Sequence, residues 1–290
     1  MAVTAPIVYH DFEFVLESKA HFDVQDRGVL FADGVYEVVR FDRGKAFAMQ
    51  AHVDRLARSM AGIGLEGVSA TPFAELSYEL LERNQLSDAK VYWQVTRGPA
   101  ARDFVVSEST EPTVTLIAYP TQPIDLDAPL AVGAGHIVED CRWTRCWIKS
   151  LMLMPASLAK TEAVKAGAAE AIFERAKPGT DEKHITEGAS TNVFIVREGQ
   201  LCTHPDDGWV LGGITRQTLL DLAKHLGLPI REDAAFTREQ LLAANEAFVC
   251  STTQLTAITS VGDAVIADGT PGPTTQRLHE AYRALLLQGG

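Results

Sequence analysis

Apolar residues in this chain come in short runs, and those runs narrow the fold more than any other feature of the sequence. VYEVVRF (Val35–Phe41), VYWQVTR (Val91–Arg97), TVTLIAY (Thr113–Tyr119), EAIFER (Glu170–Arg175), NVFIVR (Asn192–Arg197) and AFVCS (Ala247–Ser251) are rich in β-branched and aromatic residues, the composition of strands. PLAVGAGHIV (Pro129–Val138) and QLCTH (Gln200–His204) read the same way. The stretch Phe41-Asp42-Arg43-Gly44-Lys45 is a turn, and AFAM (Ala46–Met49) is expected to return from it as a partner strand. Between the runs lie helical patterns. Val53, Leu56, Met60 and Ile63 recur at three- and four-residue spacing and predict a helix from His52 to Ile63. Further helices are expected at about Phe73–Leu86, Pro155–Gly167, Ile214–His225, Arg238–Asn245 and Pro273–Leu287. Strands in both halves with segregated helices predict an α+β protein of two domains. The proline-stiffened stretch Tyr119-Pro120-Thr121-Gln122-Pro123 is the expected linker, dividing the chain into 1–122 and 123–290. The long segment GPAARDFVVSESTEP reads as a binding loop.

Charge and composition exclude several function classes. A net charge of −12 repels phosphate backbones and anionic lipid, so nucleic acid and membrane surfaces are poor partners. No apolar run approaches the roughly 20 residues of a membrane span. The opening MAVTAPIVYHDFEF has no basic region ahead of an apolar core, so no signal peptide is expected. Cys141, Cys146, Cys202 and Cys250 form no C-x-x-C pair and sit beside no histidine cluster. Reduced thiols and no zinc site are the expectation, which fits the cytoplasm.

Five places could carry chemistry. Lys149 is a lone charge inside CWIKSLMLMP. Burial there would lower its pKa, as an amine nucleophile requires; the other reading is a strand-edge lysine pointing to solvent. Glu187 opens a turn, Glu-Gly-Ala-Ser-Thr-Asn, before an apolar strand. A buried carboxylate there could hold a proton on a heteroaromatic nitrogen, or the turn could simply satisfy its own backbone. Leu211-Gly212-Gly213-Ile214-Thr215-Arg216 runs into a helix whose first N–H groups could receive an anion. Ser251-Thr252-Thr253 follows a strand and offers hydroxyls, or is an ordinary strand-end turn. Arg55 lies off the apolar stripe of its helix, either reaching a phosphate or forming part of a solvated face.

Together these stretches resemble the class IV (fold type IV) aminotransferases that depend on pyridoxal 5′-phosphate (PLP), most closely the D-amino-acid transaminases. The resemblance rests on Asp26–Arg40, His52–Leu56, Tyr92–Gly98, Arg145–Leu151, Ile185–Phe194, Leu211–Arg216 and Ala247–Thr253, which occur in the family's order and span nearly the whole chain. It implies a smaller N-terminal α/β domain and a larger C-terminal pseudo-barrel domain that binds PLP. By position, Lys149 matches the Schiff-base lysine and Glu187 the acid that pairs with the pyridine nitrogen. Arg55 matches the phosphate-binding arginine. Ile214, Thr215, Ser251 and Thr252 match the remaining phosphate contacts, Leu211 the residue beside the ring, and Tyr36 a tyrosine at the substrate carboxylate.

The implied reaction moves the amino group of a D-amino acid to a 2-oxo acid, 2-oxoglutarate or pyruvate, in two ping-pong halves. After VTRG the D-specific enzymes carry an arginine and, two residues later, a histidine that grip the α-carboxylate. Here Arg102 keeps the first position and Phe104 replaces the second. A carboxylate grip altered in this way is expected to admit apolar D-amino acids or (R)-primary amines. In relatives this loop reaches the neighbouring subunit, which implies a homodimer. An (R)-amine transaminase, a branched-chain L-amino-acid transaminase, a 4-amino-4-deoxychorismate lyase and a non-catalytic binding protein remain open at this point, because one scaffold serves many reactions.

Overall fold

The computed structural model describes residues 5–106, 110–125, 127–177, 179–232, 235–252 and 254–288. Thr253, in the hydroxyl-bearing stretch read from the sequence, lies outside them. The chain divides into two units. The first takes residues up to Asp125, with Ile148–Met152 and the end of the chain from Leu286; the second takes the segment between Asp125 and Ile148, then Leu153–Leu285.

In the first unit the strands are β1 (Ile7–His10), β2 (Glu13–Leu16), β3 (Gly34–Asp42), β4 (Lys45–Ala46), β5 (Ala89–Thr96) and β6 (Thr113–Pro120), and the helices are α1 (Arg27–Phe31), α2 (Met49–Gly62) and α3 (Phe73–Arg83). The sheet runs β2-β1-β6-β5-β3-β4, every pair antiparallel. Side chains alternate along β3: Val35, Glu37 and Val39 are buried while Tyr36 and Val38 are half-buried, as the two-residue period of a strand requires. Trp93 of β5 is fully buried, lies 5.4 Å from the Phe73 ring and donates Nε1–H to Ser77 Oγ of α3 at 2.7 Å. The indole thus fills the core and still has a partner for its one polar atom.

In the second unit the strands are β7 (Ala131–Glu139), β8 (Glu170–Ala176), β9 (Lys183–Gly188), β10 (Asn192–Arg197), β11 (Gln200–Thr203), β12 (Ile230–Arg231), β13 (Glu246–Ser251), β14 (Gln254–Val261) and β15 (Ala264–Val265), with α4 (Met154–Lys165), α5 (Ile214–His225), α6 (Arg238–Leu242) and α7 (Pro273–Gln288). The sheet runs β12-β11-β10-β13-β14-β7-β8-β9, with β15 on β14, and curls into a half-barrel. β7 and β8 are parallel, so the chain must cross over between them, and α4 lies in that crossover. Its core includes Ile172, Ile185, Val193, Ile195, Leu241 and Val249. At the start of α7 the buried Glu246 accepts from the Thr274 and Thr275 N–H groups and from Thr275 Oγ1, satisfying donors that a helix start leaves open. Among the described residues no helix is long and apolar enough to cross a membrane.

The expected mixture of strands in both halves with segregated helices holds. Differences are local. Of the expected AFAM strand only Ala46 pairs with β3, joined by Lys45 from the expected turn. Ala48 takes a left-handed φ of 48° and Met49 already begins α2, so the strand is cut short by an early helix start. β9 and β14 were not expected, and CWIKSL is not a strand: only Ser150 bridges to Val35.

Gly98, after β5, has a φ of +86°, and a Cβ there would lie 1.8 Å from the Glu111 carbonyl oxygen. Gly98→Ala combines backbone strain of about 1–3 kcal/mol with that clash. A loss of at least that size in urea unfolding is the expected outcome.

Candidate active site

In the first unit, the segment around Lys149 is docked along the edge of β3. Tyr36 N–H donates to the Lys149 carbonyl at 2.9 Å, and Leu151 N–H to the Gly34 carbonyl at 3.0 Å. β4 pairs only the far end of β3, so this segment occupies the edge that β4 leaves open. Lys149 N–H donates to Ser59 Oγ of α2 at 3.1 Å. Two hydrogen bonds to its own backbone thus hold Lys149, a third fixes Leu151 two residues on, and its Nζ stands 4.3 Å from the centre of the Tyr36 ring, a cation–π distance. Lys149 is half-buried, so it is not the solvent-pointing lysine of the alternative reading.

On the opposite face of β3, one residue on, Glu37 is fully buried against α2. His52 and Arg55 are three residues apart on that helix and so share a face. Arg55 grips Glu37 with two hydrogen bonds, Nε to Oε1 at 2.6 Å and Nη2 to Oε2 at 2.9 Å; His52 Nδ1 meets Oε2 at 2.8 Å. Burial alone would push the Glu37 carboxyl up, but Arg55 and His52 outweigh it and hold the group far below the usual carboxylate range. Burial pulls the imidazole of His52 down more than Glu37 pulls it up, so it is neutral. Arg55 itself is 7% exposed. The solvated-face reading of this arginine is therefore corrected: its partner is a strand carboxylate 18 residues away in sequence, which helix periodicity could not reveal.

Arg102 and Phe104 lie on the exposed loop after β5. Arg102 stacks over the Phe31 ring at 5.6 Å, and Phe104 meets the same ring edge-on at 5.7 Å.

In the second unit, the end of β9 places Glu187 where it is 4% exposed. Its carboxylate accepts from Arg142 Nη1 at 2.5 Å, from the Leu211 N–H at 3.0 Å and from Asn192 Nδ2 at 3.1 Å. Arg142 is in turn held by Asp140 through Nε at 2.9 Å and Nη2 at 2.8 Å, while Arg175 pairs with Asp140 at 2.9 Å. Burial pushes the Glu187 carboxyl up, and Arg142 and the Leu211 N–H oppose this without cancelling it. Burial thus leaves the Glu187 carboxyl with a proton affinity above its ordinary value. Asp140 behaves oppositely: burial raises it, yet Arg142 and Arg175 keep it below its ordinary value.

Leu211 also accepts from Asn192 Nδ2 at 2.9 Å, so Asn192 binds both the acid and the loop that precedes α5. A Cβ on Gly213 would fall 2.0 Å from Asn192 Oδ1; only glycine admits this approach. Gly213 caps α5 without any side-chain hydrogen bond. Ile214 is half-buried and opens the helix; Thr215 is buried. Thr215 Oγ1 lies 3.3 Å from Tyr282 Oη, which donates to the Thr252 carbonyl at 3.3 Å. Tyr282 of α7 thereby links the α5 start to the turn after β13, where Ser251 and Thr252 are half-buried.

The sequence reading placed Lys149, Tyr36, Arg55, Glu187, Leu211 and Thr215 in defined surroundings, and missed what supports them: Glu37, His52, Ser59, Asp140, Arg142, Asn192 and Tyr282. His52 and Arg55 at helical spacing, after an acid in a strand, were a usable signal for the first pair. Arg142, one of two arginines in CRWTR, carried none.

Comparison with known proteins shows the family. Residues 34–261 match the family described as amino-transferase class IV. The chain is 40% identical over 272 residues to the D-alanine aminotransferase of Listeria monocytogenes serotype 1/2a (strain 10403S), covering 92% of each protein. The crystal structure of the branched-chain aminotransferase from Thermoproteus uzoniensis with norvaline superposes with a TM-score of 0.86 at 27% identity, covering 99% of this chain and 96% of that one. The branched-chain amino acid aminotransferase of T.th. with pyridoxamine 5′-phosphate gives 0.86 at 25% identity, with 97% and 93% covered.

Two outcomes are expected. Glu37→Gln leaves Arg55 buried without its anion and costs about 3–5 kcal/mol in denaturant unfolding. Because the folded carboxyl lies far below its unfolded value, this contribution is complete above about pH 4.3 and fades as pH falls toward the folded value. Arg142→Met strips Glu187 and Asp140 of a shared cation and raises the proton affinity of both. The resulting destabilisation is expected to grow as pH rises, because a carboxyl that has lost its cation is better tolerated with its proton.

Proposed function

The chain belongs to the class IV aminotransferases, and from that premise we propose that it is a PLP-dependent transaminase moving the amino group of a D-amino acid to 2-oxoglutarate or pyruvate. The observation that carries the reading is Lys149: an amine in a largely apolar segment, its backbone fixed by two hydrogen bonds and its Nζ over the Tyr36 ring. D-alanine aminotransferases at 37–40% identity support the D series.

The residues present fit the cofactor by their chemistry. Glu187 is a buried carboxyl whose proton affinity burial raises, chemistry that suits a charge-assisted hydrogen bond with a protonated ring nitrogen. The uncapped start of α5 offers N–H groups to a phosphate. In this reading Arg55, Ile214, Thr215, Ser251 and Thr252 hold the phosphate and Leu211 packs beside the ring. PLP, when bound, supplies an electron-accepting ring. Glu187 keeps the proton on the ring nitrogen, while Lys149 carries the cofactor and then, through Nζ, moves the proton from the substrate Cα. Tyr36 and Arg102 orient the substrate carboxylate. Two half-reactions in turn give ping-pong kinetics.

Phe104 favours a wider donor range. It stands where a polar grip would be useful and is 82% exposed, beside Val105 at 74%. An aromatic ring there tolerates apolar D-amino acids and (R)-primary amines. This exposed apolar loop, with Val24 at 79% and Val29 at 61% on the same unit, also supports a homodimer in which a second copy covers it. Reduced thiols at all four cysteines are consistent with work in the cytoplasm.

Borohydride reduction of the PLP-loaded protein is expected to fix a pyridoxyl group on Lys149, located by peptide mass spectrometry, and Lys149→Ala to abolish it. Initial rates with 2-oxoglutarate are expected to favour D-alanine over L-alanine and L-leucine by at least about tenfold, or roughly 1.4 kcal/mol in the barrier. Adduct on another residue, or a preference for L-leucine, overturns the assignment.

A further inference from the structure

Three side chains converge on one ring in the first unit. Phe31 closes α1, and its ring lies 4.6 Å below the Arg27 guanidinium, 5.6 Å from that of Arg102 and 5.7 Å from the ring of Phe104, edge to face. The surroundings are not equally fixed. Arg27 is buried and fully engaged: Nε binds Asp33 at 2.8 Å and Nη1 binds the Asp103 carbonyl at 2.7 Å. Arg97 shares Asp33 at 2.9 Å and ties it to the Ile63 and Gly64 carbonyls. This frame holds α1, and with it the Phe31 ring, against the end of β5. Through Asp103 it also pins the loop between Arg102 and Phe104. Those two side chains are themselves exposed, and among the described contacts it is the Phe31 ring that orders both.

We propose that Phe31 is a specificity-determining residue: its ring is a platform that fixes the Arg102 guanidinium for donors bearing a carboxylate, as against amines that lack one. The inference rests on the reading of Arg102 as the carboxylate-orienting residue. An arginine left free on an exposed loop loses side-chain freedom whenever it grips an anion. One already stacked on an aromatic face has surrendered much of that freedom beforehand, and the pairing is correspondingly tighter. Stacking uses the face of the guanidinium and leaves the in-plane N–H groups to an anion. Phe104 packs against the same ring in a T-shaped contact, so the phenyl ring that stands where relatives carry a histidine supports the platform while lacking that histidine's donor. Phe31 touches no reacting atom in this account; it acts through Arg102.

The test is steady-state kinetics of the PLP-loaded enzyme with D-alanine and with (R)-1-phenylethylamine as donors, 2-oxoglutarate being the acceptor. Phe31→Leu is expected to raise the ratio of the D-alanine KM to the amine KM by roughly three- to fivefold, the size of one exposed cation–π contact, with kcat for D-alanine changed less than twofold. Phe31→Tyr restores the ratio, because the ring is kept. Combining Phe31→Leu with Arg102→Ala is expected to give the same ratio as Arg102→Ala alone. Should Phe31→Leu fail to fold, Phe104→Leu, at a side chain too exposed to threaten folding, is expected to raise the ratio in the same direction. If Arg102→Ala raises the ratio while Phe31→Leu, or Phe104→Leu in its stead, does not, the platform is overturned and the reading of Arg102 stands. If Arg102→Ala leaves the ratio unchanged, that reading fails and the platform fails with it.

Discussion

A carboxylate taken out of water must be met by a cation or carry its proton, and each unit of this protein is arranged around that requirement. In the first, Glu37 lies under β3 with no exposure and is met by Arg55 and His52 on α2. In the second, Asp140 and Glu187 divide Arg142 between them, with Arg175 supporting Asp140. These pairs are expensive to assemble and more expensive to break. They add little to stability that apolar packing could not supply. What they confer is geometry: Arg55 is clamped along one edge of its guanidinium, and Glu187 is turned toward whatever positive group approaches it.

The two units resolve the requirement differently. Glu37 is over-compensated, so it stays ionised and its arginine is immobile. Glu187 is under-compensated, because burial outweighs Arg142 and the Leu211 N–H. The first arrangement fixes an arginine beside an ionised acid, and the second leaves a buried carboxyl of raised proton affinity. The two carboxylates look alike in the sequence. Their surroundings separate the roles.

Much of the fold was legible because it is local. α5 begins and ends at the residues its pattern indicates, Ile214 and His225, since a Gly-Gly pair stops any earlier start and a basic last turn marks the end. β3, β5, β6 and β10 were visible through β-branched and aromatic runs. β9 was hidden because KHITEG carries Lys183, His184 and Glu187 in six residues, a polar composition that only tertiary pairing turns into a buried strand. The solvated-face alternative for Arg55 fails because its partner is a strand residue rather than a helix neighbour. Glu187 and the α5 start could be picked out as candidates, but Arg142, Asn192 and Tyr282 support them from positions far apart in sequence, and no spacing rule brings those together.

Tyr36 and Glu37 occupy adjacent positions on β3, one turned toward Lys149 and the other toward Arg55. Their roles are separated only by the alternation of a strand, so inserting or deleting a single residue between Gly34 and Glu37 would exchange the two faces, presenting the acid to the lysine and the phenol to the guanidinium. A point substitution along this strand disturbs one side chain's contacts, whereas a change in its length turns every following side chain to the other face. Across descendants of this sequence, β3 is therefore constrained to vary in letter and not in count.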